Sequence, residues 1–286
     1  MPIFAHERLD RRLLFAGSEM AVTEGRVFAL QEEGGRIHLL VEEDLEIKVK
    51  GIGRINPSRV LAGVGYGDHV TIGQKRFLAL RPGVSEISSG MSRRAQIITP
   101  KDASLICTSL GVGQDSKVLE IGWGSGGLSL HLANAMGGAG TLVTVENRLE
   151  HADVARSNLY LAKQAWGDFP ELVEVHGDAV DKATIEEVAR SVDGGYDAIS
   201  IDLPEAFAAV PHYASMLRLG GKLACYCPVT SQLEQAWVAC EEAGLEVNWA
   251  GERIDRTWSK ASKGGVRPDN NPMGHTAFVL IAQRCK

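Results

Sequence analysis

The sequence predicts an α/β chain: a doubly wound, mainly parallel sheet over residues 88–286, preceded over residues 1–87 by a small β-rich domain. Three observations predict it. From Thr99 onward, apolar runs of strand length alternate with stretches of helical periodicity. Before Thr99 the apolar runs are short and separated by Gly-Gly, Gly-x-Gly and Gly-Asp turns. One later strand, Lys117-Val118-Leu119-Glu120-Ile121, opens directly into Gly122-Trp123-Gly124-Ser125-Gly126-Gly127-Leu128 ahead of a helix.

The first domain reads as a small barrel or meander built on Arg26–Leu30, Arg36–Val41 and His69–Ile72, with Ser88-Ser89-Gly90 as a linker. Pro100-Lys101-Asp102 then starts a helix through Leu110, because proline fits the first helical position and the apolar residues that follow recur at helical spacing. The pattern continues as strand 117–120, helix 128–136, strand 141–145, helix 149–165, strand 172–175, helix 181–190 and strand 196–201. Helix 206–217, strand 222–226, helix 230–243 and strands near 245–249 and 276–282 complete the order. In such a sheet the ligand lies outside the carboxyl ends of the strands, at the point where strand order reverses.

Composition bounds the remaining possibilities. With 286 residues, 44% hydrophobic and 23% charged, the chain can bury a core for one ordinary domain plus a small one. No apolar run reaches the roughly 18 residues of a membrane span, and Met1-Pro2-Ile3-Phe4 followed by charges lacks a secretory pattern. A soluble, cytoplasmic protein is expected. Cys107, Cys225, Cys227, Cys240 and Cys285 form no paired C-x-x-C spacing, so reduced thiols and no bound metal are expected. Cys225 and Cys227 should face one side of a strand, with Tyr226 on the other. The net charge of −6 argues against indiscriminate nucleic-acid binding. Arg93-Arg94, Lys101, Arg253, Arg256, Lys260, Lys263 and Arg267 form either a solvated surface or a local basic patch.

The glycine turn is where a nucleotide-like cofactor should lie, since glycines admit positive φ and close backbone approach. Gly122-x-Gly124-x-x-Gly127 also satisfies the dinucleotide fingerprint, so NAD and S-adenosylmethionine compete for it. A carboxylate at Glu120, beside the turn, suits a cationic cofactor better than a pyrophosphate. Glu146 closes the next strand, about 20 residues past the glycines, where an acidic side chain takes ribose hydroxyls. Asp178, in Gly177-Asp178-Ala179, is either a cofactor contact or a turn former. Asp202-Leu203-Pro204 ends an apolar strand, and Asp202 is either a catalytic carboxylate or a capping one.

Five segments together resemble the tRNA (adenine-N1)-methyltransferases that modify position 58. They are Arg93-Arg94-Ala95-Gln96-Ile97-Ile98-Thr99-Pro100-Lys101-Asp102-Ala103, Glu120 with its glycine turn, Asp202-Leu203-Pro204, Tyr226-x-Pro228-x-x-x-Gln232 and Gly274-His275-Thr276-Ala277-Phe278. The resemblance covers essentially residues 90–286 in order and spacing. It implies a Rossmann-like methyltransferase sheet, S-adenosylmethionine as donor, tRNA as partner, a homotetramer, and N1 of a T-loop adenine at position 58, with 57 as an additional target. Carried over by position, Glu120, Gly122, Gly124, Ser125, Gly126, Gly127 and Leu128 would line the cofactor. Glu146 would hold its ribose, Asp178 its adenine, and Gln96 and Ser104 would touch it from the opposite side. Asp202 would be the catalytic carboxylate, bordering the cofactor as well, and Tyr226 an aromatic wall for the base. His275 would be substrate-side or structural.

Three positions depart from the family pattern. Thr99 stands where a tyrosine is usual, Ala206-Phe207 where Pro-Trp is usual, and Trp123 replaces a small residue in the turn, so that its indole should point outward or reshape the cofactor's edge. The same fold could instead serve a methyltransferase for a small molecule or protein, or a non-catalytic RNA-binding subunit.

Overall fold

A computed structural model describes residues 25–262, 264–270 and 272–286. The opening Met1-Pro2-Ile3-Phe4 and Lys263 lie outside the described residues. The chain divides into two compact units at Arg81 and Pro82.

The first unit contains β1 (Val27–Glu32), β2 (Ile37–Val41), β3 (Ile47–Val49), β4 (Gly53–Ile55), helix α1 (Pro57–Val60), β5 (His69–Ile72) and β6 (Lys75–Leu80). The antiparallel order β2-β1-β6-β5 forms one sheet, and β3 pairs with β4 as a separate hairpin. Phe28, Leu30, Leu40, Leu61 and Phe77 fill the core. Three of these strands are legible in the sequence; β3, β4 and β6 are not. The first two have only three residues each, and β6 opens on the charged pair Lys75-Arg76.

The second unit opens with α2 (Val84–Gly90) at the segment read as a linker. Ser88-Ser89-Gly90 is helical because Ile87 is wholly buried and Ser88 is 4% exposed, so the turn is held from within. There follow α3 (Pro100–Leu110), β7 (Lys117–Ile121), α4 (Gly127–Met136), β8 (Thr141–Glu146), α5 (Leu149–Trp166) and β9 (Glu171–His176). Next come α6 (Lys182–Arg190), β10 (Tyr196–Ile201), α7 (Ala206–Tyr213), β11 (Leu217–Cys227), α8 (Thr230–Glu242) and β12 (Glu246–Gly251). An exposed hairpin, β13 (Trp258–Lys260) and β14 (Val266–Pro268), precedes β15 (Phe278–Gln283). The α7 helix is shorter than its sequence pattern, giving way to a 3-10 turn over Ala214–Met216 and an early start of β11.

The seven strands take the order β12-β15-β11-β10-β7-β8-β9, and only β15 runs against the others. The doubly wound, Rossmann-like architecture expected from the sequence is therefore present. On one face Leu119, Ile121, Ile199, Leu223, Cys225 and Cys227 pack with residues of α6, α7 and α8, as the cysteine spacing requires. The alternate residues Glu120 and Tyr226 turn to the other face and meet α4 and α3. Each wholly buried aliphatic side chain contributes about 1.5–3 kcal/mol relative to exposure. Strand order reverses between β7 and β10, and the loops after β7, β8, β9 and β10 converge there.

Buried Tyr213 ties this core to one of those loops, its hydroxyl donating to the Ala179 carbonyl at 2.8 Å. Tyr213→Phe should cost about 1 kcal/mol in a denaturant melt, the typical value of one such bond; an unchanged melt would remove this tie from the account.

Candidate active site

The glycine turn takes its shape from its neighbours. The Gly122 and Trp123 amides both donate to the Val145 carbonyl, at 3.0 and 3.2 Å, so the turn is hung from β8. Gly122 has φ +87°, and a Cβ there would overlap the Asp202 carbonyl oxygen, so only glycine lets the ends of β7 and β10 abut. The Asp202 amide completes the junction by donating to the Ile121 carbonyl at 2.9 Å.

A cavity of about 840 Å³ opens at this junction. Of the residues read from the sequence, Gln96, Gly122, Gly124, Glu146, Asp178 and Asp202 form its wall, and Arg94, Arg148, His151, Val180 and Pro204 join them. Glu146 accepts from the Gly124 amide at 2.8 Å on Oε2, and from the Arg148 amide at 3.0 Å and guanidinium at 3.4 Å on Oε1. Oε2 keeps a lone pair for a ribose hydroxyl, and the exposed Arg148 side chain can yield Oε1 to a second one. Asp178 accepts from the Val180 amide at 3.1 Å; its turn-forming role is real and leaves its other oxygen free to accept from a ligand.

The other expected cofactor residues lie outside the cavity wall, and each has a physical reason. Glu120 is 3% exposed and accepts from Ser129 of α4, beneath the turn. Ser125 turns its hydroxyl to the Arg94 and Ala95 amides, both at 3.0 Å, and its carbonyl accepts from Asn158 at 2.9 Å. These bonds clamp the segment carrying Arg94 and Gln96 over the turn. Gly126 gives room to Leu159, and a Cβ on Gly127 would lie 2.8 Å from the Ile97 Cβ. Leu128 is 2% exposed, in the core. Ser104 is exposed on α3, donating to the Lys101 carbonyl and accepting from Arg253 at 2.9 Å. Tyr226 is 9% exposed, behind Asp202 in the parallel register that pairs Ile201 with Cys225.

The indole of Trp123 neither points outward nor edges the cavity. It is 3% exposed, and its Nε1 has no partner among the described residues. Phe207 packs partly buried against the core of the sheet. His275 is held by Glu252 at 2.8 Å and the Pro228 carbonyl at 2.9 Å, which together raise its pKa and fix the loop before β15. Lys101 is buried and so leaves the proposed basic surface, whereas Arg93 and Arg94 are exposed.

Burial raises the Asp202 carboxyl to about 7, with a further push from the Glu146 charge. Although part of the residue's surface opens to the cavity, the carboxyl itself lies deep and has no hydrogen-bond partner among the described residues. Burial likewise raises Glu120 to about 8, opposed by the Ser129 bond and assisted by Asp202 and Glu146. A cation entering the cavity would relieve this mutual repulsion. Gly127 at the amino end of α4 packs against Ile97 and the Ile98 carbonyl, and no residue of α4 lines the cavity. His151 supplies a second mark of a ligand: it is 8% exposed, lines the wall, and its Nδ1 has no partner among the described residues. These residues fit a nucleoside bearing a cationic tail. Sequence reasoning missed His151, although its place in the first turn after the acidic strand end could have signalled it.

Residues 80–252 match the family model described as the tRNA methyltransferase complex GCD14 subunit. The chain is 31% identical to the tRNA (adenine(58)-N(1))-methyltransferase TrmI of Thermus thermophilus, over 90% of this chain and 96% of that protein. It is 27% identical to the tRNA (adenine(57)-N(1)/adenine(58)-N(1))-methyltransferase TrmI of Methanocaldococcus jannaschii, over 89% and 93%. The crystal structure of a SAM-dependent O-methyltransferase from Thermotoga maritima superposes with a TM-score of 0.73 at 25% identity, covering 93% of this chain and 95% of the other.

Two outcomes follow from the cavity's charges. In calorimetry S-adenosylmethionine should bind with roughly micromolar affinity, about −8 kcal/mol, and NAD should not; NAD binding without S-adenosylmethionine binding would overturn the cofactor assignment. Both raised carboxyls hold protons in the fold that the unfolded chain has released, so ligand-free stability is full below the ordinary values of 3.8 and 4.5 and is lost as pH rises through about 7 and 8. Glu120→Gln should flatten the upper part of that loss in melts between these limits, and an unchanged profile would contradict the buried-carboxyl assignment.

Proposed function

The chain belongs to the family of the tRNA methyltransferase complex GCD14 subunit, and from that premise we propose that it transfers a methyl group from S-adenosylmethionine to N1 of an adenine in the tRNA T-loop, at position 58 with 57 as a further target. The observation that carries this is Asp202, a buried carboxyl that borders the cavity of the glycine turn and lies beside an aromatic ring, Tyr226. The relatives named for adenine-58 methylation match across both units, which supports the same substrate here.

S-adenosylmethionine supplies an activated methyl group on a sulfonium. The protein's own task is alignment and exclusion of water. Glu146 takes the ribose hydroxyls, while Asp178 and His151 hold the remainder of the nucleoside. Adenine N1 is a weak nucleophile that becomes cationic on methylation. The ionised Asp202 carboxylate accepts from the exocyclic amine, raises electron density in the ring and stabilises the charge that develops. N1 is a Watson–Crick atom, so the base must leave its pairing before it can stack on Tyr226.

Exposed Arg93, Arg94, Arg256, Lys260 and Arg267 are suited to phosphates, although the chain as a whole is acidic. No helix among the described residues is long and apolar enough to cross a membrane, in keeping with action on cytoplasmic tRNA. Self-association into a tetramer is part of the same proposal. Trp258 and Val266, 64% and 71% exposed on the β13–β14 hairpin, supply apolar surface suited to it.

Nucleoside mass analysis of tRNA after incubation with S-adenosylmethionine tests the reaction, and 1-methyladenosine is the expected product. Methyl transfer to another nucleoside, or only to hydroxyl groups of non-RNA acceptors, would overturn it. At saturating S-adenosylmethionine, Asp202→Ala should lower the single-turnover rate roughly 10²–10⁴-fold. Because the reactive form is the carboxylate, kcat/KM should rise with pH to a plateau above about 7, and that rise should vanish in Asp202→Asn.

A further inference from the structure

Asp102, in the first turn of α3, is wholly buried beside Lys101, which is 6% exposed. The Lys101 ammonium donates to Asp102 Oδ1 at 2.7 Å, Thr276 Oγ1 at 2.6 Å and the Arg253 carbonyl at 2.8 Å, which uses all three of its protons. Asp102 Oδ2 accepts from the Thr276 hydroxyl at 2.6 Å, the Thr99 hydroxyl at 3.1 Å and the Tyr226 phenol at 3.2 Å. Three segments distant in sequence, at 99–102, 226 and 276, thus meet on one carboxylate, and a fourth, at Arg253, meets its lysine partner.

A buried ion pair of this kind is seldom the most stable filling for its space, since apolar residues of the same volume often do as well or better. What it does supply is fixed direction. The phenol donates its proton to Asp102 Oδ2, with the Thr276 hydroxyl beside it, and this contact fixes the direction of the Tyr226 ring. That ring lies next to Asp202 at the ends of adjacent parallel strands, close enough for the Asp202 charge to oppose ionisation of the phenol. Thr99, where the family pattern has a tyrosine, turns its hydroxyl inward to the same carboxylate.

We propose that Asp102, held by Lys101 and Thr276, is a positioning residue that locks the Tyr226 ring beside Asp202, so that the acceptor base enters against a wall already ordered. The proposal rests on the adenine-methylating assignment above. Asp102 touches neither the base nor the methyl donor and acts through Tyr226 alone.

A double-mutant cycle on kcat at saturating tRNA and S-adenosylmethionine tests it. Asp102→Asn and Tyr226→Phe should each slow turnover about tenfold, as small misplacements of an aligned group do. The double variant should be no slower than either single one within about twofold, with the S-adenosylmethionine Kd unchanged throughout. Losses that multiply to about a hundredfold would overturn the proposal, as would a normal kcat in either single variant. Should Asp102→Asn fail to fold because Lys101 is left unpaired, the Lys101→Met/Asp102→Leu variant removes both charges and enters the same cycle. Alkaline titration of tyrosinate absorbance gives a readout independent of tRNA: the component lost in Tyr226→Phe should titrate at lower pH in Asp102→Asn, and no shift would refute the contact. A wild-type protein inactive on tRNA would refute the assigned reaction while leaving this titration to decide the contact.

Discussion

The site depends on one close approach, that of the Gly122 backbone to the Asp202 carbonyl, where the ends of β7 and β10 meet without room for a Cβ. The bond from the Asp202 amide to the Ile121 carbonyl fixes the distance. From that junction the rest follows. The turn swings under Val145 and delivers the Gly124 amide to Glu146, while the chain leaving β10 sets Asp202 on the rim of the same cavity. A larger residue at 122 would part the strands and separate the cofactor turn from the catalytic carboxyl together.

The junction also concentrates charge. Burial raises the proton affinity of Glu120 and Asp202, and the neighbouring charges, Glu146 beside Asp202 and both of them near Glu120, raise it further. Such crowding opposes stability in the ligand-free fold. It is tolerated because the cavity is made for a cation, whose arrival turns repulsion into attraction. The bonds of Ser125 and Asn158 hold the segment carrying Arg94 and Gln96 against the turn, so that both residues line the cavity, and Gly127 at the start of α4 packs against Ile97.

Much of this was legible in the sequence because it rests on local pattern. Alternating strand and helix periodicity, the glycines at 122 and 124 and the acids ending their strands are each visible within a few residues, and the resemblance joined them into one site. What could not be read depends on direction in space. The spacing that marks Glu120, Gly126 and Gly127 is shared by residues that touch a ligand and residues that pack the turn from behind, and only their partners, Ser129, Leu159 and Ile97, separate the two. Trp123 is buried rather than edge-on for the same reason. The Lys101–Asp102 pair, read as a helix start and a surface charge, joins Thr99, Tyr226 and Thr276, and no local pattern announces a contact across more than a hundred residues.

The central claim is that two raised carboxyls, Asp202 on the cavity wall and Glu120 beneath the turn, await a cationic ligand. Calorimetry of S-adenosylmethionine and its demethylated product at pH 7, repeated in buffers of different ionisation heat, counts the protons exchanged on binding. The sulfonium should expel a fraction of a proton as Asp202 ionises, and the neutral thioether should expel less. Equal proton release by the two ligands, or proton uptake with S-adenosylmethionine, would contradict the account.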